Sequence, residues 1–246
     1  KMEVTEIKLE YEVCGEEKGG IPVIIVAAGM SSRMGGTDKQ TALIGGVPVI
    51  ARTLMAFERS RAVSEIILVV RPDELFNMQL TAEKYAVTKL TDIVCGGNSR
   101  QESVLKGFER LGKSAGKVLI HDGARPLVSG RIIESVSSAL EEYPAVTCAV
   151  KVKDTIKETD GSGNVVSTPD RSRLAAVQTP QGVWVKEYLE AAGKAEDVSA
   201  FTDDMSVMES AGFPVRTVEG SYTNIKITTP EDLRLAEFLL GEESGE

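Results

Sequence analysis

From Ile21 onward the chain alternates short apolar runs with longer amphipathic ones. The runs Ile21–Ala27, Glu65–Val70, Leu90–Val94, Lys117–Ile120 and Ala145–Val150 are rich in valine and isoleucine, as strands covered on both faces are. Between them, Val49–Arg59, Gln101–Leu111 and Gly130–Glu142 carry apolar residues at helical spacing. Repeated strand–helix alternation predicts an α/β fold, a mainly parallel, twisted sheet with helices on both faces. Ligands in such sheets bind beyond the carboxyl ends of the strands, so functional residues are expected just after each apolar run.

Three segments depart from this rhythm. In residues 1–20, Ile7, Leu9, Tyr11 and Val13 alternate with charged residues before a glycine-rich joint, which predicts an extra edge strand or a mobile arm. Lys153–Arg173 contains Asp160-Gly161-Ser162-Gly163-Asn164 between polar, β-prone flanks, the signal of a long hairpin. Such a hairpin has too few apolar residues to bury itself, and a second subunit is its expected partner. The last helix, expected over Pro230–Leu240, begins with Thr229 as N-cap, Pro230 at the first helical position and Glu231 and Asp232 in the first turn. The expected organisation is an extension (1–20), one domain (21–241) bearing the arm at about 153–173, and a short tail (242–246).

Composition narrows the function classes. At 246 residues and 42% hydrophobic, the chain suits one large domain that needs no covalent staples. No apolar run approaches the ~20 residues that cross a bilayer, and no signal-peptide pattern opens the chain. The three cysteines lie far apart and there is a single histidine, so neither a zinc site nor a disulfide framework is expected. A cytoplasmic protein follows. The net charge of −9 argues against nucleic acid as a partner, and no membrane partner is expected. For a small phosphorylated ligand, the cations must be gathered in one place.

The strand ends are where such cations stand. After the first run comes Ala27-Ala28-Gly29-Met30-Ser31-Ser32-Arg33, continuing to Asp38-Lys39-Gln40. Small residues admit a ligand to the backbone, free N–H groups bind phosphate oxygens, and Arg33 and Lys39 add charge. The G-K-[ST] ending of a P-loop and the G-x-G-x-x-G fingerprint are both missing. A tight turn with solvated charges is the plainer alternative. Gly96-Gly97-Asn98-Ser99-Arg100-Gln101-Glu102-Ser103 follows the third run and opens a helix. Ser103 could reach a ribose or phosphate there, or the segment is simply a helix cap around Ser99. His121-Asp122-Gly123-Ala124-Arg125-Pro126 ends the next run. Asp122 and Arg125 read as ligand-facing and His121 as structural.

Seven motifs in order carry a resemblance. These are A-A-G-x-x-x-R-M-G…K-Q from Ala27, G-G-x-x-R-x-x-S-V at Gly96–Val104, and H-D-G-A-R-P at His121–Pro126. Asp154–Lys157, the Arg171…Gln178–Gln181 segment, Thr202–Asp204 and Asn224–Leu233 complete the set. Over about residues 21–240 the chain resembles the 2-C-methyl-D-erythritol 4-phosphate cytidylyltransferase family. The resemblance implies a Rossmann-like nucleotidyltransferase fold, a homodimer clasped through the hairpin arm, and use of CTP with Mg²⁺ or another divalent cation. It makes Arg33 and Lys39 transition-state stabilisers, and makes Arg171 and Lys226 the residues that position methylerythritol 4-phosphate. Asp122, Arg125, Thr155 and Thr179 would lie by that substrate, with Thr155 and Arg171 reaching in from the partner subunit. Ala27, Ala28, Gly29, Gly97, Asn98, Arg100, Ser103 and Gly123 would hold CTP.

Three positions depart from the family's pattern. Ser31 stands where a second glycine is common, the stretch between Arg33 and Lys39 is one residue shorter, and Thr41 replaces a bulkier residue. The implied chemistry suits the residues present. A phosphate monoester is already an anion near neutral pH, so no general base is required. Attack on the α-phosphate instead demands preorganised cations. Rival readings are a ribitol 5-phosphate cytidylyltransferase, a non-catalytic nucleotide binder of the same fold and a nicotinamide-dependent oxidoreductase. Ala124 weighs against the first, the retained cations against the second, and the missing dinucleotide fingerprint against the third.

Overall fold

The computed structural model describes residues 19–30 and 38–243. The strand expected over Ile7–Val13, together with Ser31 and Arg33, lies outside the described residues. In chain order the elements are β1 (Ile21–Val26), β2 (Leu43–Ile44), β3 (Val47–Pro48), α1 (Val49–Arg59), β4 (Val63–Val70), α2 (Leu75–Lys84), β5 (Leu90–Cys95), α3 (Arg100–Phe108) and β6 (Lys117–Asp122). There follow α4 (Gly130–Ala139), β7 (Ala145–Lys151), β8 (Glu158–Thr159), β9 (Val165–Ser167), β10 (Ala175–Trp184), α5 (Val185–Lys194), α6 (Asp204–Ser210), β11 (Val215–Glu219) and α7 (Pro230–Glu243).

The five apolar runs, joined by β10 and β11, form a seven-stranded sheet of order β11-β7-β10-β6-β1-β4-β5. All neighbours pair in parallel except β10, which runs antiparallel to both β6 and β7. Strand–helix alternation did not foretell this reversed strand. The chain leaves β7, travels through the arm and returns without a crossover helix, and a return of that kind can pair only antiparallel. The β7–β10 register shifts between Val177 and Gln181, the interval that contains Pro180, which has no N–H to give the ladder.

Alternate residues of each strand enter different cores, as the period of two requires. On one face Val23, Ile25, Ile66, Leu68 and Leu119 pack with Leu54 and Phe57 of α1, Met78 of α2 and Ile132, Ile133 and Val136 of α4. On the other, Ile24, Ile67, Val69, Val118 and Ile120 meet Val104 and Phe108 of α3, Tyr188 of α5 and Met205 and Met208 of α6. A third cluster of Ile44, Val49, Ala124, Ile227 and Ala236 seats α7 on the β2–β3 turn and the loop after β6. A Cβ at Gly107 would collide with Ile24, so α3 rides directly on β1 and brings its N-terminus to the strand ends.

Helix α1 has the expected bounds. Helices α3 and α4 stop three residues short of theirs because Arg110 and Leu111, and likewise Glu141 and Glu142, donate three residues back. Those turns are tighter than an α-helix. At the start of α7, the Asp232 carboxylate accepts the N–H groups of Thr228 and Thr229, each at 2.8 Å, so the first-turn acid holds the backbone that leads into the helix. The arm is present, but its ladder joins only β8 to β9. Asp160 closes its turn by accepting from the backbone of Ser162 and Asn164, each at 2.9 Å. Among the described residues no helix is long and apolar enough to cross a membrane.

Candidate active site

Three loops at the carboxyl ends of the parallel strands are stitched together. Ala27 N–H donates to Val69 at 2.7 Å, Gly96 N–H to Val70 at 2.8 Å and Gly123 N–H to Val26 at 2.9 Å. Their small residues are needed for this packing. A Cβ on Gly96 would strike Ala28, and one on Gly123 would lie 3.0 Å from the Cβ of Ala27. Gly29 is exposed, and the ammonium of Lys39 lies 3.7 Å from where its Cβ would be. The lysine therefore folds back over the loop that follows β1. Arg33 lies outside the described residues.

In the loop after β5, the helix-cap arrangement is what the structure contains. Ser99 Oγ accepts from Glu102 N–H at 3.1 Å. Ser103 Oγ donates to Ser99 O at 2.8 Å and accepts from Gly97 N–H at 3.1 Å, which leaves this buried hydroxyl occupied. Glu102 Oε2 takes Asn98 N–H at 2.7 Å. Gly97 and Asn98 are exposed at the rim.

Asp122, the last residue of β6, is the electrostatic hub. Its Oδ1 meets Arg100 Nε at 3.3 Å, and its Oδ2 meets Lys226 Nζ at 2.8 Å and Arg125 Nε at 3.6 Å. Burial opposes its charge, yet Arg100, Lys226 and Arg125 outweigh burial and hold the carboxyl well below the ordinary range. Arg100 also reaches Asp204 Oδ2 at 2.7 Å, and Tyr188 OH donates to Asp204 Oδ1 at 3.0 Å. Burial alone would weaken the Arg100 cation, but Asp204 and Asp122 leave it more firmly protonated than a free arginine. Three cations thus face two carboxylates. The most exposed of them is Lys226, whose side chain is 38% exposed, so the surplus positive charge is offered where an anion can reach it.

Behind this cluster runs a buried hydrogen-bond chain. Asp122 N–H donates to Thr179 Oγ1 at 3.0 Å, and Thr179 Oγ1 lies 3.0 Å from His121 Nδ1. His121 Nε2 lies 3.2 Å from the Arg125 carbonyl. That carbonyl can only accept, so Nε2 carries the hydrogen, Nδ1 accepts, and the Thr179 hydroxyl donates to it. Asn224 Nδ2 ties the end by donating to Thr179 O at 2.9 Å, while Arg125 Nη1 donates to Asn224 O at 2.7 Å. His121 is structural, as the sequence reading expected. Thr179 is buried and committed to the same chain.

A pH prediction follows from that histidine. Burial lowers its pKa from 6.5 to about 3. The unfolded chain then binds a proton that the folded chain refuses, so this contribution to stability is complete above pH 6.5 and is lost progressively as pH falls towards 3. No second histidine competes. Urea unfolding is expected to give a lower stability at pH 5 than at pH 7, with most of that difference gone in His121→Asn. An equal pH 7-to-5 drop in the variant would assign it to other groups.

Arg171 and Thr155 stand on the exposed arm, where Arg171 Nη1 donates to Lys153 O at 2.8 Å. Within the chain, neither has a hydrogen bond or ion pair with the Asp122 cluster. A groove of about 860 Å³ between α2 and β5, lined by Leu75, Phe76, Thr91 and Ile93 among others, shares no residue with that cluster. Sequence reasoning gave no role to Tyr188 or Asp204, although Asp204 stood within a quoted motif. An acid flanked by Met205, Val207 and Met208 was the one available signal, because a carboxylate on an apolar helix needs a buried partner.

The family model described as 2-C-methyl-D-erythritol 4-phosphate cytidylyltransferase matches residues 21–242. The enzyme of that name from Bacillus mycoides is 47% identical over 221 residues, 89% of this chain and 96% of the relative. That from Geobacillus thermodenitrificans is 44% identical over 225 residues, 91% of this chain and 98% of the relative. The crystal structure of 4-diphosphocytidyl-2C-methyl-D-erythritol synthase from Anaerococcus prevotii superposes with a TM-score of 0.79 at 33% identity, covering 90% of this chain and 96% of its own. The Thermus thermophilus cytidylyltransferase gives 0.72 at 31% identity, covering 89% and 98%. With the family model matching residues 21–242 and a relative 47% identical over 89% of its length, the chain belongs to the 2-C-methyl-D-erythritol 4-phosphate cytidylyltransferase family.

Proposed function

We propose that the protein joins CTP to 2-C-methyl-D-erythritol 4-phosphate, giving 4-diphosphocytidyl-2-C-methyl-D-erythritol and pyrophosphate in non-mevalonate isoprenoid synthesis. The observation that carries this reading is the pair of lysines at the carboxyl ends of the adjacent strands β1 and β6, Lys39 over Gly29 and Lys226 on Asp122. A phosphate oxygen of the polyol attacks the α-phosphorus of CTP, a new P–O bond forms, and the bond to pyrophosphate breaks. Arg33 and Lys39 stabilise charge on the phosphoryl oxygens and leaving group. Lys226, and Arg171 from a partner subunit, hold the attacking phosphate in line. Ala27, Ala28, Gly29, Gly97, Asn98 and Gly123 contact CTP. Asp122, Arg125 and Thr155 line the polyol side, while Arg100, Ser103 and Thr179 shape the site from behind.

A divalent cation fits this site as a passenger of the triphosphate. Both oxygens of Asp122 already carry cations, and the described residues include no group of three potential ligands among His, Cys, Asp and Glu. Magnesium tolerates such a setting because it retains waters and leans on substrate phosphates. The phosphate oxygens of CTP would hold it. When bound, the ion neutralises phosphate charge.

The homodimer belongs to the same proposal. Val165 and Val166 on the arm are 59% and 63% exposed, and Thr155 and Arg171 share that arm. Sedimentation is expected to give a dimer, and an active monomer would overturn the shared site. A cytoplasmic location fits an enzyme that consumes CTP.

The decisive assay is pyrophosphate release from CTP and Mg²⁺, with methylerythritol 4-phosphate and ribitol 5-phosphate offered separately. Release only with the former is expected. Preference for ribitol 5-phosphate would keep the mechanism and replace the acceptor. Release with neither would reject a cytidylyltransferase of either kind.

A further inference from the structure

Lys39 sits in a short stretch of chain that is anchored on both sides. Before it, Asp38 Oδ1 accepts Gln40 N–H at 2.9 Å, and Asp38 O accepts Ala42 N–H at 3.0 Å. After it, Gln40 is buried and its carbonyl accepts Ile50 N–H from α1 at 3.0 Å. Those bonds shape the turn locally. What ties it to the sheet is a contact made by Asp38 Oδ2, which meets Arg71 Nη2 at 2.6 Å.

Arg71 is the first residue beyond β4, at the carboxyl end of the strand beside β1. Its guanidinium is held in turn by Glu74 at 3.3 Å and Asp73 at 3.4 Å. Arg71 and Asp38 are only 22% and 21% exposed, so solvent and salt screen this pair less than a surface pair. The sheet edge is thereby connected, through one ion pair, to the residue immediately before Lys39.

We propose that Arg71 is a positioning residue for Lys39, acting through its ion pair with Asp38. The inference rests on the reading that Lys39 stabilises the transition state. Its logic is geometric: a lysine is a flexible point charge, and displacing a catalytic group by ~1 Å can cost as much as 100-fold in rate. Holding the backbone beside Lys39 limits where its ammonium can go. Since the pair uses one guanidinium nitrogen on Asp38, a lysine at position 71 can replace it in part.

The test is steady-state kinetics of Arg71→Ala, Asp38→Ala, the double variant and Arg71→Lys, with Lys39→Ala as reference and thermal melting as a fold control. Arg71→Ala and Asp38→Ala are each expected to lower kcat about tenfold, with KM for the polyol phosphate within twofold and Tm little changed. The double variant is expected to be no worse than the poorer single, since both remove the same clasp, and Arg71→Lys to recover most of the loss. If kcat of Arg71→Ala stays near the parent's while Lys39→Ala is crippled, the positioning role is wrong and the lysine's role stands. A double variant that regains parental activity would mean that Arg71 merely masks the charge of Asp38. Losses that multiply in the double would mean that the two residues act independently. Normal turnover by Lys39→Ala would remove the lysine's role and the clasp's purpose together.

Discussion

Replacing Lys39 by alanine is expected to lower kcat about 100-fold or more, the scale of losing one preorganised oxyanion donor. The reacting groups are both anions, and a phosphate monoester needs no general base, so fixed cations are what the step requires. Lys39 folds back over Gly29 at the end of β1. Its charge is useful chiefly when charge builds on the α-phosphoryl oxygens and pyrophosphate. The loss should therefore fall on kcat more than on the KM of either substrate. Arg33→Ala is expected to behave alike. Near-normal kcat in both variants, measured by pyrophosphate release, would show that the charge assignment is wrong.

The second large effect is on stability. Asp204→Ala is expected to cost about 3–5 kcal/mol, the scale of breaking a buried ion pair from one side. Asp204 is fully buried and holds both Arg100 Nη2 and Tyr188 OH. Without it, Arg100 keeps only Asp122 as a counter-charge, and Tyr188 loses its acceptor. For a chain of this size each kcal/mol moves Tm by ~2–4 °C, so the melting point should fall by roughly 10 °C. Tyr188→Phe, which removes one hydroxyl and leaves the ion pair, is expected to cost only ~1 kcal/mol. A thermal melt of Asp204→Ala within 2 °C or so of the parent's would sink the claim that this pair carries the cluster.

Arg100 illustrates why residue type and motif go only so far. The family resemblance would make it a CTP ligand. In the folded chain its guanidinium lies between Asp122 and Asp204 and braces both. Ser103 follows the same course, with its hydroxyl spent on Ser99 and Gly97. Within the chain, both side chains already have protein partners. Asp122 was legible because its strand end was, and Arg125 stands three residues on, but Arg100 and Lys226 come from α3 and from the segment before α7.

What the sequence determined by itself is local. The apolar runs became β1, β4, β5, β6 and β7, and α1 has the expected bounds, because burial on two faces and the 3.6-residue period leave direct marks in neighbouring residues. The turn at Asp160–Asn164 is likewise written in residues that bond to one another. Tertiary structure decided the direction of β10, which depends on the path the chain takes from β7 rather than on the residues of β10. It also decided the ion pairs. Asp38 meets Arg71 across 33 positions, and Arg100 meets Asp204 across 104, with no periodicity or spacing to announce either. A buried charge requires a partner, but only the fold can say which one is brought to it.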